Sequence, residues 1–138
     1  MKKKSKPLDL SQSKPMEIKS SNRSNMAITV VNTSGNGKRI KLSRGIMEKF
    51  DNPSEVQFRI LEDKIIIGSY LSSDDKYYKL SQTSGGTLYN ASIVENFTEV
   101  LNLDFSAVTS ITLSNIRFKK AETEEGEVVL VGIVMSNL

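Results

Sequence analysis

The sequence of 138 residues contains no cysteine, no histidine and no tryptophan. Without cysteine, it can form no disulfide bond, thiolate zinc site, iron–sulfur cluster or cysteine nucleophile. Without histidine, it lacks the commonest general base and the commonest transition-metal ligand. Aromatic residues make up only 7% of the chain, so stacking platforms for single-stranded nucleic acid are poorly supplied. These absences argue against most classes of enzyme, and we expect a protein without catalytic residues, cofactor or metal.

Long apolar runs are also missing. No stretch approaches the roughly 20 apolar residues that cross a bilayer. The basic start Met1-Lys2-Lys3-Lys4 leads into no apolar block of the kind found in a secretory signal. We therefore expect a cytoplasmic protein. The chain length and the apolar fraction of 38% allow one domain, or one domain and a tail.

Positive charge is concentrated at the N-terminus. Residues 1–26 carry seven basic and two acidic side chains, whereas residues 27–138 carry 12 basic and 14 acidic ones. The first segment is rich in serine and shows no apolar period, so we predict a disordered basic arm over residues 1–26. Such an arm can attract phosphate without sequence specificity, or it can simply keep the protein soluble. Composition leaves both roles open.

Beyond residue 26 the sequence contains an internal repeat, with one copy over about 27–71 and a second over about 77–135. The matched pairs are Thr33/Thr83, Ser34/Ser84, Gly35/Gly85, Ile46/Ile93, Glu48/Glu95 and Phe50/Phe97. Each copy predicts a strand, a polar loop with glycine, a short strand, a short helix and a hairpin. Neither copy can bury its apolar face alone. We therefore predict that residues 27–138 form one mainly β, barrel-like domain built from two tandem repeats.

The first copy contains five short segments whose residues and order together carry a resemblance to a known family. They are Gly35-Asn36, Arg39-Ile40-Lys41-Leu42-Ser43, Ile46-Met47, Glu55-Val56-Gln57-Phe58 and Asp63-Lys64-Ile65-Ile66-Ile67. This series resembles the SpoVT/AbrB and MazE family over residues 27–70, and the second copy resembles it more distantly. The resemblance implies a swapped-hairpin fold and a DNA-binding transcriptional regulator or antitoxin, from a bacterium or its mobile elements. Family chains usually supply one unit and dimerise, so two units imply a monomeric pseudo-dimer or a homodimer. A double-psi β-barrel is the neighbouring alternative.

A cluster of cations in the first copy is the candidate contact surface for duplex DNA. Alternation places Arg39 and Lys41 on one face of a strand. Several cations on one face can contact successive phosphates, and an arginine can also bind guanine in a bidentate manner. The alternative is that these cations have no binding function and simply lie on a solvated strand face. The candidate DNA-binding residues are Lys38, Arg39, Lys41, Arg44 and Lys49.

Acidic loops suggest a different function, in which the protein binds a basic protein as antitoxins and nuclease inhibitors do. Six carboxylates crowd two loops, and their spacing does not match an EF-hand. The alternative is that these carboxylates have no binding function and simply solvate two hairpin tips. The candidate protein-binding residues are Asp74, Asp75, Glu122, Glu124, Glu125 and Glu127.

Overall fold

The computed structural model describes residues 26–35, 37–81 and 85–137. The predicted basic arm therefore lies, apart from Met26, outside the described residues. The described chain forms β1 (Ile28–Val31), β2 (Arg39–Leu42), α1 (Arg44–Lys49), β3 (Glu55–Leu61), β4 (Lys64–Gly68), β5 (Tyr78–Lys79), β6 (Gly86–Tyr89), α2 (Ala91–Val100), β7 (Ser110–Leu113), β8 (Ile116–Glu122) and β9 (Val128–Val134).

The first sheet has four antiparallel strands in the order β6-β2-β1-β7. Its central strand β1 has the sequence Ile-Thr-Val-Val, which is rich in the β-branched residues that fit a pleated surface. Ile28 pairs with Leu42 on β2 and with Leu113 on β7. All three side chains are buried, so this face of the sheet packs on the core.

The second sheet has five antiparallel strands in the order β5-β3-β4-β9-β8. It contains two hairpins, β3–β4 and β8–β9. Strands β4 and β9 pair with Ile66 opposite Ile133, so the hairpins lie side by side through their return strands. In this half of the molecule, the hairpin of the second copy occupies a place equivalent to that of the first.

The two helices begin at matching positions of the two copies. Ser43 caps α1 by accepting a hydrogen bond from the Ile46 amide, and Asn90 caps α2 by accepting one from the Ile93 amide. A side-chain oxygen at this position satisfies an amide that has no partner within the helix. Helix α1 ends where Asp51 and Asn52 adopt positive φ, and α2 ends where Asn102 does so.

A single core cluster unites side chains from both copies. Ile46 and Phe50 of the first copy and Ile93 and Phe97 of the second, which are four of the repeated positions, are all buried in it. Phe97 also packs edge-on against Phe58, with ring centroids 5.8 Å apart. The apolar pairs of the repeat are therefore the helix residues that anchor each helix to the shared core.

The prediction of a mainly β domain with two helices is confirmed, but the described strands do not close into a barrel. The described strands form two separate antiparallel sheets, and no ladder between described strands joins one sheet to the other. The physical reason lies in the chain after β4. Strand β5 has only two residues, and just beyond it Ser81 forms a single antiparallel bridge to Thr87 of β6. In the described chain, an isolated bridge rather than a ladder therefore connects this segment to the first sheet. Neither helix of the described chain has the length and apolar character needed to span a membrane.

Candidate nucleic-acid interface

The side of the first sheet that points away from the core carries the predicted cations Arg39 and Lys41. Their neighbours Ile40 and Leu42 on β2 are buried in the core, so alternation directs Arg39 and Lys41 outward. Lys41 lies between Thr29 on β1 and Thr87 on β6 in one cross-strand row. The strand alternation predicted from the sequence therefore places these two cations as expected.

Hydroxyl groups surround the two cations. Thr29 and Thr112 lie in the row of Lys41, and their Oγ1 atoms are 3.1 Å apart. Ser110 and Tyr89 lie in the row of Arg39, and Tyr89 is 57% exposed. Val31 and Thr87 share this side of the sheet but are buried. We call the exposed part the cationic face, made of Thr29, Arg39, Lys41, Tyr89, Ser110 and Thr112.

The four strands of the first sheet contain no aspartate and no glutamate. Arg39 and Lys41 are also the only basic residues in these strands. Within the described part of the chain, no carboxylate lies at ion-pair distance from Lys41. The positive charge of the cationic face is therefore not cancelled within its own strands, even though residues 27–138 are acidic as a whole.

Gly37 shapes the edge of the cationic face beside Arg39. Nη1 of Arg39 donates a hydrogen bond to the Gly37 carbonyl at 3.2 Å. Gly37 has a φ of +66°, and a Cβ at this position would lie 3.1 Å from the ring of Tyr89. A side chain here would both strain the backbone and press on Tyr89. Glycine therefore allows the loop, Arg39 and Tyr89 to approach one another closely.

The remaining predicted cations occupy different surroundings. Lys38 precedes β2, and its carbonyl accepts a hydrogen bond from the Asn90 amide. Arg44 is the first residue of α1 and lies 3.6 Å from the carboxylate of Glu48, as an exposed pair one helical turn apart. Such an exposed pair contributes little to stability. Lys49 ends α1 with Nζ 5.6 Å above the Phe118 ring, beside the second sheet.

The acidic loops predicted as a protein-binding surface lie together at one end of the second sheet, although about 50 residues separate them in the chain. The Tyr70 hydroxyl donates a hydrogen bond to one carboxylate oxygen of Glu125, and the Ser73 hydroxyl donates to the other, both at 3.0 Å. These two hydrogen bonds hold the pKa of Glu125 below its ordinary value. Partial burial and the hydrogen bond to Glu125 raise the pKa of Tyr70. Part of the acidic charge therefore joins the two loops to each other.

Arg59 forms ion pairs with carboxylates of both acidic loops. Its Nε and Nη2 donate hydrogen bonds to the two carboxylate oxygens of Asp75 at 2.6 and 2.9 Å, and Nη2 lies 3.9 Å from Glu124. The hydrogen bond to Asp75 and the charge of that carboxylate raise the pKa of Arg59. We call the six predicted carboxylates Asp74, Asp75, Glu122, Glu124, Glu125 and Glu127 the acidic end. In the described residues, no cluster of three potential ligand side chains is placed to hold a metal ion there or elsewhere.

Gln57 is a structural residue that sequence reasoning missed. It alternates with Val56 and Phe58, and this pattern predicts an exposed side chain. Instead Gln57 is fully buried, because its amide group bonds to the backbone of residues 71, 72 and 75. No sequence signal distinguishes it from an exposed glutamine in a half-buried strand.

Three cations of β8, Arg117, Lys119 and Lys120, also form an exposed basic stretch that sequence reasoning did not include. Arg117 and Lys119 alternate with Ile116 and Phe118, which pack against the core. They therefore point out of the face of the second sheet that lies away from the core, on a different surface from Arg39 and Lys41.

No protein-family model, no curated protein and no solved structure gives a significant match to this chain.

Proposed function

We propose that this protein is a DNA-binding regulator that contacts duplex DNA through the cationic face. The observation that carries the proposal is the emergence of Arg39 and Lys41 from one side of a sheet whose strands contain no carboxylate. A positively charged surface on an otherwise acidic domain attracts a polyanion.

The chemistry of the cationic face suits the DNA backbone. Side chains two residues apart on a strand are separated by about 7 Å, so Arg39 and Lys41 can contact neighbouring phosphates. The hydroxyls of Thr29, Ser110 and Thr112 can donate hydrogen bonds to phosphate oxygens. Arg39 can in addition make a bidentate contact with phosphate or guanine. Lys38 and Arg44 flank β2 and are proposed as further contacts, whereas Lys49 lies against Phe118 and is left out.

A swapped-hairpin relation to the SpoVT/AbrB and MazE family is part of this proposal. What supports it is the element order of the first copy, which is the one predicted from its residue pattern: β1, β2, α1 and the hairpin β3–β4. The second copy places its hairpin beside the first through the β4–β9 pair. Its opening strand differs, because β5 pairs with β3 rather than with the first sheet.

The proposal is tested by titrating a labelled random-sequence duplex with the full chain at several salt concentrations and following fluorescence anisotropy. For the double variant Arg39→Gln/Lys41→Gln, we expect affinity at low salt to fall roughly tenfold or more. The slope of log K against log salt should also become shallower by about 2, because each phosphate contact contributes about one unit.

The matched control is Arg117→Gln/Lys119→Gln, which removes the same charge from the outer face of the second sheet. This control should keep both the affinity and the salt slope close to those of the wild type. Equal losses in the two double variants would show that net charge alone governs binding, and would contradict the proposed face.

A second candidate function is binding of a basic protein partner by the acidic end, in the manner of an antitoxin or inhibitor. The convergence of six carboxylates from two distant loops favours this candidate. It predicts that the wild type does not bind duplex DNA in the titration above. It also predicts that one stoichiometric protein co-purifies after nuclease treatment and is lost in Asp74→Asn/Glu122→Gln/Glu127→Gln.

A further inference from the structure

The outer edge of β3 is only partly covered. Strand β5 pairs with β3 at Glu55 and Val56 alone. On that side, the remaining residues 57–61 pair with no other strand in the described chain. A row of unpaired backbone groups at a sheet edge is a template for a further strand.

The hydrogen-bonding alternation of β3 shows which groups face this open edge. The Leu80 amide donates to the Ser54 carbonyl at 2.9 Å on the β5 side. In an antiparallel pair, every second residue directs its N–H and C=O to the same neighbour. Phe58 and Ile60 therefore direct their backbone groups outward, away from β4. The edge offers two donors and two acceptors.

Apolar side chains surround these backbone groups. Ile60 is 55% exposed and Leu61 is 50% exposed, although both are large and apolar. Beside them a groove of about 210 Å³ runs between β3 and α2. Its apolar lining comes from Phe58, Ile60, Ile65, Tyr78, Ile93 and Phe97. An added strand would thus cover exposed apolar surface as well as satisfy backbone groups.

The other sheet edges in the described chain carry protection that β3 lacks. Strand β8 has three cations among the four residues 117–120, and charges at a sheet edge discourage pairing with a further strand. On β7, the Thr112 carbonyl is bonded to the side chain of Asn137. On β6, Thr87 is bridged to Ser81. The only charge at the open part of β3 is Arg59, which is engaged with Asp75.

We propose that this edge binds a second copy of the chain, by antiparallel pairing of β3 with β3 of the partner across a two-fold axis. Ile60 lies opposite the partner's Ile60 in this arrangement. The nearest alternative register has the two-fold axis at Arg59. It would set two arginines opposite each other, and like charges in that position are unfavourable. It would also bring the partner's Glu62 against Val56, whose edge is occupied by Tyr78.

The charges at the two ends of the proposed interface are complementary. With Ile60 at the centre, the partner's Glu62 lies opposite Phe58. The acidic turn Glu62-Asp63 of each copy then approaches the segment in which Lys76 leads into β5. Within each chain this turn has two carboxylates and one lysine, Lys64, so one negative charge is left for the partner's Lys76.

Disulfide trapping tests the register directly, because the native chain has no cysteine. Opposite residues of a hydrogen-bonded pair have Cα atoms about 5.5 Å apart, within the range that a disulfide spans. We expect Ile60→Cys to form a covalent dimer under mild oxidation. Leu61→Cys is the matched control, because it is similarly exposed and its two copies would lie about 8 Å apart, too far to bridge.

Light scattering on the full chain measures the same association without a cross-link. We expect the wild type to show twice the chain mass of 15.3 kDa at high concentration. Ile60→Lys should raise the dissociation constant at least about tenfold, since two lysines would then face each other. A wild type that stays monomeric at every concentration would overturn the proposal. So would cross-linking of Leu61→Cys instead of Ile60→Cys, or a dimer that Ile60→Lys leaves intact.

Discussion

Gln57 fixes the loop that connects the two copies. Its side-chain oxygen accepts from the Leu71 and Ser72 amides, and its nitrogen donates to the Ser72 and Asp75 carbonyls. A buried side-chain amide with all these partners satisfied is stable, whereas the same backbone groups without it would be left unpaired. Gln57 therefore ties residues 71, 72 and 75 to β3.

Replacing Gln57 by leucine should lower the free energy of unfolding by about 2–4 kcal/mol, because four backbone groups lose their partner. Urea denaturation measures this change. Arg59→Gln is the comparison, since it removes a partly exposed ion pair to the same loop and should cost less than about 1 kcal/mol. If the two variants lose similar stability, Gln57 contributes no more to anchoring the loop than the ion pair with Asp75 does, which would contradict the prediction.

The two helix caps have the same position in the repeat but different surroundings. Within the described chain, the side chain of Asn90 accepts one hydrogen bond, from the Ile93 amide of its own helix. Ser43 Oγ accepts from the Ile46 amide at 3.4 Å and also from the Ala27 amide at 3.0 Å. The Ser43 amide in turn donates to the Ala27 carbonyl. Ser43 therefore joins the start of α1 to the residue that precedes β1.

We expect Ser43→Ala to destabilise the protein by about 1–2 kcal/mol and Asn90→Ala by about 1 kcal/mol, because Ser43 satisfies one more amide. Chemical denaturation of the two variants, with Ser92→Ala on the exposed side of α2 as a reference, provides the measurement. A Ser43→Ala variant as stable as the wild type would show that the contact to Ala27 contributes nothing.

Opposite charges are separated across the molecule. The first sheet carries Arg39 and Lys41 without a carboxylate in its strands, whereas the acidic end lies at one end of the second sheet. Under the proposed function, a polyanion would be attracted to the cationic face and repelled by the acidic end. Hydrogen bonds from Ser73 and Tyr70 stabilise the charged form of Glu125 and join the two loops of the acidic end.

Acid should weaken the folded state through Glu125. The pKa of this carboxyl is lowered in the fold, so its contribution is complete above the unfolded pKa of about 4.3 and is lost as the pH falls through the lower folded pKa. We expect the melting temperature of Glu125→Gln to depend less on pH than that of the wild type between about pH 5 and pH 3. Glu99→Gln on α2 removes the same charge elsewhere and should keep the wild-type dependence. An unchanged profile for Glu125→Gln would contradict this role.

Local pattern was enough to predict many elements of this fold and part of the candidate site. The alternation of Arg39, Ile40, Lys41 and Leu42 predicts which side chains face outward, because a strand directs successive residues to opposite faces. The short helix predicted in each copy is also present, beginning after the capping residues Ser43 and Asn90. These features depend on neighbours within a few residues, and such neighbours are visible in the sequence.

Other features were decided by contacts between residues far apart in the chain. The burial of Gln57 requires a loop 14 or more residues away, and the acidic end requires Tyr70 and Glu125, 55 residues apart, to meet. The two open sheets in place of a barrel and the uncovered edge of β3 follow from how short β5 is. The sequence by itself determined most of the secondary structure and the outward placement of Arg39 and Lys41 on β2. Only the tertiary structure decided which faces and loops come together, because periodicity carries no information about long-range pairing.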